Sequence, residues 1–380
     1  MRPFTFNPGP KLLAGPEQAQ ALAEKLPPGP CLFVTDKDLV RLGLTDTYRE
    51  AIGATRELTM FDAVEADPSK ETLISATEAG RAAEVTCVVG FGGGSPMDVA
   101  KLAAYLLGSG DDLEQIWGVG LATGERLPLA LVPTTGGTGS EATPISVITC
   151  EGGVKLAVNS APLIADWAVL DATLTLGLPR HVTAATGIDA MVHAVEAYTS
   201  ARLKNPLSDA LAREALRLLS ANLLTAIEQP SNVEARSAML LGAHLAGLAF
   251  ANAPVAGVHA LAYPLGGLHH LPHGLTNALM LRHVLGHNLE SAREHYAELA
   301  EIIEPDCAGQ GSQARAALLI ERLDNLATSS GLSLRLRDHG VRFDEAPVLA
   351  KEAMKQTRLL VNNPCEISES DAQRLYEAAW

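Results

Sequence analysis

The sequence predicts a doubly wound α/β domain with a mostly parallel sheet over residues 1–179, followed by an all-helical domain over 180–380. Three observations carry this reading. Short apolar runs alternate with helical stretches through the first half, as strand–helix–strand units do. After LTLGLPR (174–180) the texture changes to Ala/Leu-rich runs with few β-branched clusters. A chain of 380 residues also exceeds what one hydrophobic core comfortably organises.

Taken in order, CLFVT (31–35), VTCVVG (85–90), LALVP (129–133) and ADWAVLD (165–171) read as strands. The middle two are almost wholly apolar, which suits a parallel sheet covered on both faces. Residues 70–83 and 96–107 carry helical spacing between them. In the second half, 181–199, 206–227, 231–251, 289–303, 312–329 and 368–379 read as helices, with glycine and proline mostly between them.

Composition removes several function classes. A formal net charge of −15, without a basic stripe, disfavours nucleic acid and anionic membranes as partners. Five scattered cysteines form no CxxC pair, which argues against a thiolate zinc cluster and fits a reducing, cytoplasmic setting. No Asp, Glu, Lys or Arg lies between Arg236 and Arg282, yet this stretch holds five histidines and three prolines. Hydrocarbon would solvate those histidines poorly, so buried helices lining a polar site explain it better than a membrane span.

Two glycine loops follow apolar strands. VVGFGGGSPMDVAK (88–101) places Gly92, Gly93, Gly94 and Ser95 before a helix, with Pro96 in its first turn. Glycines admit an anion close to the backbone, and the helix N-terminus offers N–H groups to a pyrophosphate. PTTGGTGSEAT (133–143) adds Thr134, Thr135, Thr138 and Ser140. Two such loops favour a dinucleotide, although the GxGxxG fingerprint is absent. Asp36, after the first strand, is placed either to accept from a ribose hydroxyl or to cap the next helix.

The metal reading starts from ATGIDAMVHAVEAY (185–198), where Asp189 and His193 stand four apart on one helix face. GVHALAYPLGGLHHLPHG (257–274) supplies His259 and His273. One carboxylate and three imidazoles with an open position suit Fe(II) or Zn(II) acting as a Lewis acid. His269 and His270 lie between these ligands as cleft residues.

Together these strings resemble the iron-dependent (group III) alcohol dehydrogenase family, from VTDK (34–37) through LRHVLGHN (281–288). The resemblance implies a dehydroquinate synthase-like architecture, with an NAD-binding domain, a helical metal domain and a cleft between them. It implies Asp189, His193, His259 and His273 as metal ligands. Gly93, Gly94, Ser95 and Asp98 match its pyrophosphate loop; Thr134, Thr135 and Thr138 its second cofactor loop; Lys155 a lysine near the ribose; Asp36 the position favouring NAD over NADP. The family also implies a homodimer or larger assembly. One departure stands out: members carrying HAxAH have a relay histidine where this chain has Tyr263. A phenol titrates near 10 and is a poor relay, so either Tyr263 positions substrate or His269 or His270 takes the proton. The expected activity is NAD-linked dehydrogenation of small primary alcohols or diols, or the reverse aldehyde reduction. Its rivals are a hydroxyacid or maleylacetate-type reductase of the same superfamily and a dehydroquinate synthase-like lyase.

Overall fold

The computed structural model describes residues 3–380, and the chain divides into two compact units. The first, Pro8–Leu176, is the α/β unit. Its strands are β1 (Lys11–Ala14), β2 (Cys31–Val34), β3 (Leu58–Phe61), β4 (Cys87–Gly92), β5 (Gly118–Val119), β6 (Leu129–Pro133), β7 (Ile145–Thr149), β8 (Lys155–Asn159) and β9 (Trp167–Leu170). Its helices are α1 (Ala19–Lys25), α2 (Lys37–Arg41), α3 (Asp46–Gly53), α4 (Lys70–Ala82) and α5 (Gly94–Ser109).

Six strands form a parallel sheet in the order β1-β9-β6-β4-β2-β3. Alternate residues along each strand point to opposite faces, and both faces are covered. Leu32, Val34 and Val88 pack with Leu73, Ala76, Met97 and Ala100 on one side. Cys31, Phe33, Cys87, Val89 and Phe91 pack with Leu22, Ala23, Tyr48 and Ile52 on the other. This is why the central runs are continuously apolar. The strand order reverses around β2 and β4, so a crevice opens beyond their carboxyl ends, the usual ligand position in such sheets.

Five strands lie outside the sequence expectation: β1, β3, β5, β7 and β8. β1 and β3 are outer strands with few fully buried residues, so neither shows an apolar run. β7 and β8 pair antiparallel in a separate three-stranded sheet with β5.

The second unit comprises Gly177–Trp380 together with the N-terminal segment ending at Asn7. That segment is tied to the helices by Asn252, whose side chain both accepts from the Asn7 N–H and donates to its carbonyl. The texture of the sequence changes near Pro179 and places these first residues in the α/β domain, whereas here they contact the helices through Asn252. The long helices are α6 (Arg180–Thr199), α7 (Pro206–Glu228), α8 (Val233–Asn252), α9 (Gly257–His269), α10 (His273–Ile303) and α11 (Ser312–Ser329). Shorter α12 (Ala346–Ala353), α13 (Thr357–Leu360) and α14 (Glu369–Ala379) follow. The stretch expected as a helix over 289–303 is the second half of α10, which runs unbroken for 31 residues. The charge-free segment becomes α8, α9 and the start of α10, and its apolar residues are largely buried. Among the described residues no single helix is long and apolar enough to cross a membrane.

Candidate metal centre and nucleotide loops

Four side chains from three helices meet inside the helical unit. α6 contributes Asp189 and His193, α9 contributes His259, and α10 opens with His273. One ligand atom from each lies within 4.8 Å of all the others. Asp189 Oδ1 is 3.8 Å from His193 Nε2, 3.9 Å from His259 Nε2 and 3.8 Å from His273 Nε2. Burial alone would raise the Asp189 carboxyl, but the three imidazoles and the Asn277 amide hold it below the usual carboxylate range.

The donor set fits a cation, and the Asn277 amide shows where its lone pairs aim. Asn277 Nδ2 lies 2.6 Å from Asp189 Oδ1, 3.1 Å from His259 Nε2 and 3.3 Å from His273 Nε2. One N–H-bearing atom thus reaches three of the four ligand atoms, so these point toward a common place. His259 Nδ1 is engaged by Glu196 at 2.6 Å, leaving Nε2 on the Asn277 side. The Phe250 ring stacks on His193 at 4.4 Å and closes that side. Asp189, His193 and His259 are buried, whereas the His273 side chain is 38% exposed, so the cluster opens there. Solvent therefore reaches the cluster past His273.

In the α/β unit the two glycine loops are neighbours. Gly92 pairs with Pro133 across β4 and β6, and the Thr134 N–H donates to the Gly92 carbonyl at 2.9 Å. A methyl group on Gly94 would approach Thr138 Cγ2 to 3.1 Å, and one on Gly93 would lie 3.7 Å from Thr135 Oγ1. Gly93, Gly94, Thr135 and Thr138 thus line one surface at the N-terminus of α5, in whose first turn Ser95 stands. Thr134 is buried beneath it. Asp36 caps α2 by accepting from the Leu39 N–H at 2.9 Å. The same α2 brings Leu39 against the Gly92 turn, which puts Asp36 beside the crevice at the β2/β4 reversal.

An iron-containing alcohol dehydrogenase model matches residues 9–172, and one for the C-terminal part of the Fe-containing alcohol dehydrogenase family matches 183–380. The chain belongs to the iron-containing alcohol dehydrogenase family. It is an oxidoreductase. Among its relatives, long-chain-alcohol dehydrogenase 1 of Geobacillus thermodenitrificans is 39% identical over 353 residues, 92% of this chain and 89% of the relative. A crystal structure of 1,3-propanediol oxidoreductase superposes with a TM-score of 0.96 at 34% identity, covering 100% of both chains. Sulfoacetaldehyde reductase from Bifidobacterium kashiwanohense, solved in complex with NAD+, superposes at 0.88 and 27% identity, covering 100% of this chain and 99% of that one.

In the dehydrogenase Tyr263 stands one turn after His259, with its ring 5.8 Å from the His273 ring. Burial pushes the Tyr263 phenol above its ordinary value, although the Arg358 guanidinium beside it acts the other way. His270 is exposed at the left-handed C-cap of α9 and lies outside the four-ligand cluster. His269 faces Glu345 at 3.6 Å. Two residues expected at the cofactor, Asp98 and Lys155, have protein partners in this structure. The Asp98 carboxylate accepts from Ser140 Oγ at 2.6 Å and the Val147 N–H at 2.9 Å, tying α5 to the second loop and β7. Lys155 pairs with Asp67 at 2.6 Å.

Sequence reasoning passes over Glu196, Asn277, Lys101 and Arg358. Two carry a signal: Glu196 follows His193 by three and Asn277 follows His273 by four, so each shares a helix face with a ligand. Lys101 follows Asp98 by three on α5, but its Ser140 and Ile145 partners, like the Tyr263 partner of Arg358, are reached only through the tertiary fold.

Proposed function

We propose that the dehydrogenase interconverts small primary alcohols or diols and their aldehydes. In this reading NAD is held at the two glycine loops, and a divalent cation, Fe(II) or Zn(II), is held by Asp189, His193, His259 and His273. The observation that supports it best is the aim of the Asp189, His259 and His273 ligand atoms at one place, the position of Asn277 Nδ2. A bound cation there supplies Lewis-acid polarisation of the substrate oxygen, and NAD supplies or accepts the hydride.

The chain's own residues do the rest. Gly93, Gly94 and Ser95 at the start of α5 offer backbone N–H groups to the pyrophosphate, with Thr135 and Thr138 as hydroxyl donors from the facing loop. Asp36 accepts from the ribose and repels a further phosphate, favouring NAD over NADP. Asp98 and Lys155 act at one remove, by holding α5, the second loop and β8 in place. Tyr263, protonated throughout the working range, donates its hydroxyl hydrogen on the open side of the cluster and orients the substrate. Burial of Asp189, His193 and His259 keeps water away from all but the His273 side.

Metal analysis of the purified protein, run beside an alcohol and aldehyde panel with NAD and NADP, tests the assignment. The panel includes an aldehyde bearing an anionic group, because Arg358 stands beside Tyr263. Asp189→Ala is expected to remove bound metal and turnover while the protein stays folded by circular dichroism. Full activity of Asp189→Ala in the presence of chelator would refute it.

A further inference from the structure

We propose that Glu196 is a positioning residue of this centre: it holds His259 in the tautomer that presents Nε2 to the cation, and anchors the start of α9 to α6 in the same contact. The inference rests on the metal site proposed above and goes beyond it to a residue that binds no metal.

Glu196 lies on α6 one turn beyond His193 and is 3% exposed. Its Oε2 accepts from the Ala256 N–H at 2.9 Å and faces His259 Nδ1 at 2.6 Å. Its Oε1 accepts from the Val258 N–H at 2.6 Å. The carboxylate can only accept, so the hydrogen in the short contact to His259 sits on Nδ1. A neutral imidazole then has a bare lone pair at Nε2, the atom that faces Asp189 and Asn277. The two amide contacts are to the N-cap residue Ala256 and to Val258 in the first turn of α9, whose N–H groups have no partner within the helix. Ring orientation and helix position are thus set by one side chain. Glu196 also adds a second negative charge behind His259, and with Asp189 it matches the charge of a buried divalent ion.

Glu196→Gln keeps the shape and reverses the chemistry. Turned one way, its NH2 meets the Val258 N–H, donor against donor. Turned the other way, it meets the Ala256 N–H and Nδ1 of His259, and the imidazole hydrogen is driven to Nε2, where it blocks the ligand position.

The test is Zn(II) affinity of the full-length protein, measured by competition with a chromophoric chelator. E196Q is expected to weaken Zn(II) binding about 10- to 100-fold, the range typical of carboxylates behind ligating histidines. In a His259→Ala background the same substitution should change affinity less than about twofold, because the effect passes through His259. A residue that only caps α9 would carry its loss into both backgrounds. An E196Q affinity within twofold of wild type, or equal losses in the two backgrounds, overturns the proposal. Nitrogen-15 spectra of Zn(II)-loaded wild-type protein, assigned with H259A, should show His259 as the Nδ1–H tautomer; an Nε2–H signal overturns it even if E196Q fails to fold. Failure of the site itself reads differently: the wild type would take up no Zn(II), or Asp189→Ala would bind as tightly as wild type.

Discussion

Lys101→Met is the most informative single substitution in the α/β unit, because it separates anchoring of the loops from contact with cofactor. Lys101 is fully buried, and its Nζ donates to Ser140 Oγ at 2.7 Å and to the Ile145 carbonyl at 2.7 Å. It stands 3.6 Å from Asp98 Oδ1. At that separation, with an effective dielectric constant of about 20, the attraction is about 4–5 kcal/mol. Burial opposes both charges, pulling the Lys101 pKa down and the Asp98 pKa up, so each depends on the other to remain ionised. Methionine preserves the stem and leaves the carboxylate without its cation. Breaking a buried pair in this way typically costs about 3–5 kcal/mol. With a urea m-value of roughly 2 kcal/mol/M, the unfolding midpoint should fall by about 1.5–2.5 M. The double variant Asp98→Asn/Lys101→Met should recover part of that loss, since no unpaired charge remains. NAD affinity, followed by fluorescence titration, should weaken in each variant along with the stability loss. A midpoint shift below about 0.5 M for Lys101→Met would refute the anchoring argument, using the same m-value. So would an Asp98→Asn variant that loses NAD binding at unchanged stability, which would return Asp98 to the cofactor surface.

Three further outcomes are expected. A methyl group on Gly274 would lie 2.5 Å from the Ala185 carbonyl oxygen, so Gly274→Ala should push the start of α10, and His273 with it, away from α6. Metal content after dialysis should drop although no ligand is altered, and retention at wild-type level would contradict this. Burial holds the His283 and His295 imidazoles below their ordinary value. The unfolded chain therefore binds more protons as pH falls below about 6.5, and stability should decline from there toward the folded-state values. The urea midpoint at pH 5.5 against pH 8 checks the direction, and His283→Gln should flatten the slope. Tyr263→Phe removes the hydroxyl beside Arg358 and should lower kcat/KM about tenfold without changing metal content. Tyr263→His should add an ionisation near neutrality to the pH–rate profile, and an unchanged profile would mean the position does not face the reacting proton.

Local spacing alone makes part of the site legible. Asp189 and His193 share a face because they are four residues apart on a helix, and Gly92–Ser95 must form a tight turn because they separate an apolar strand from a helix. The parallel strands are evident in the sequence where both faces are buried, as in β4 and β6. They are not where the strand lies at or near a sheet edge, as in β1 and β3, because partial burial erases the apolar run. The length of α10 is hidden by Gly274 and Gly286, which a long, packed helix tolerates.

The sequence by itself determined the chemistry on offer: a carboxylate and three imidazoles on helices, two flexible loops after buried strands, and a phenol in place of an imidazole at residue 263. Which of these groups meet, and which hold the others, was decided only by tertiary structure. Glu196 reaches the Ala256 N–H at the start of α9 60 residues away, Asp98 takes the Ser140 hydroxyl, and Arg358 arrives on α13 beside Tyr263. The reason is physical: a local pattern fixes the face a side chain occupies, whereas its partner depends on which other element packs against that face.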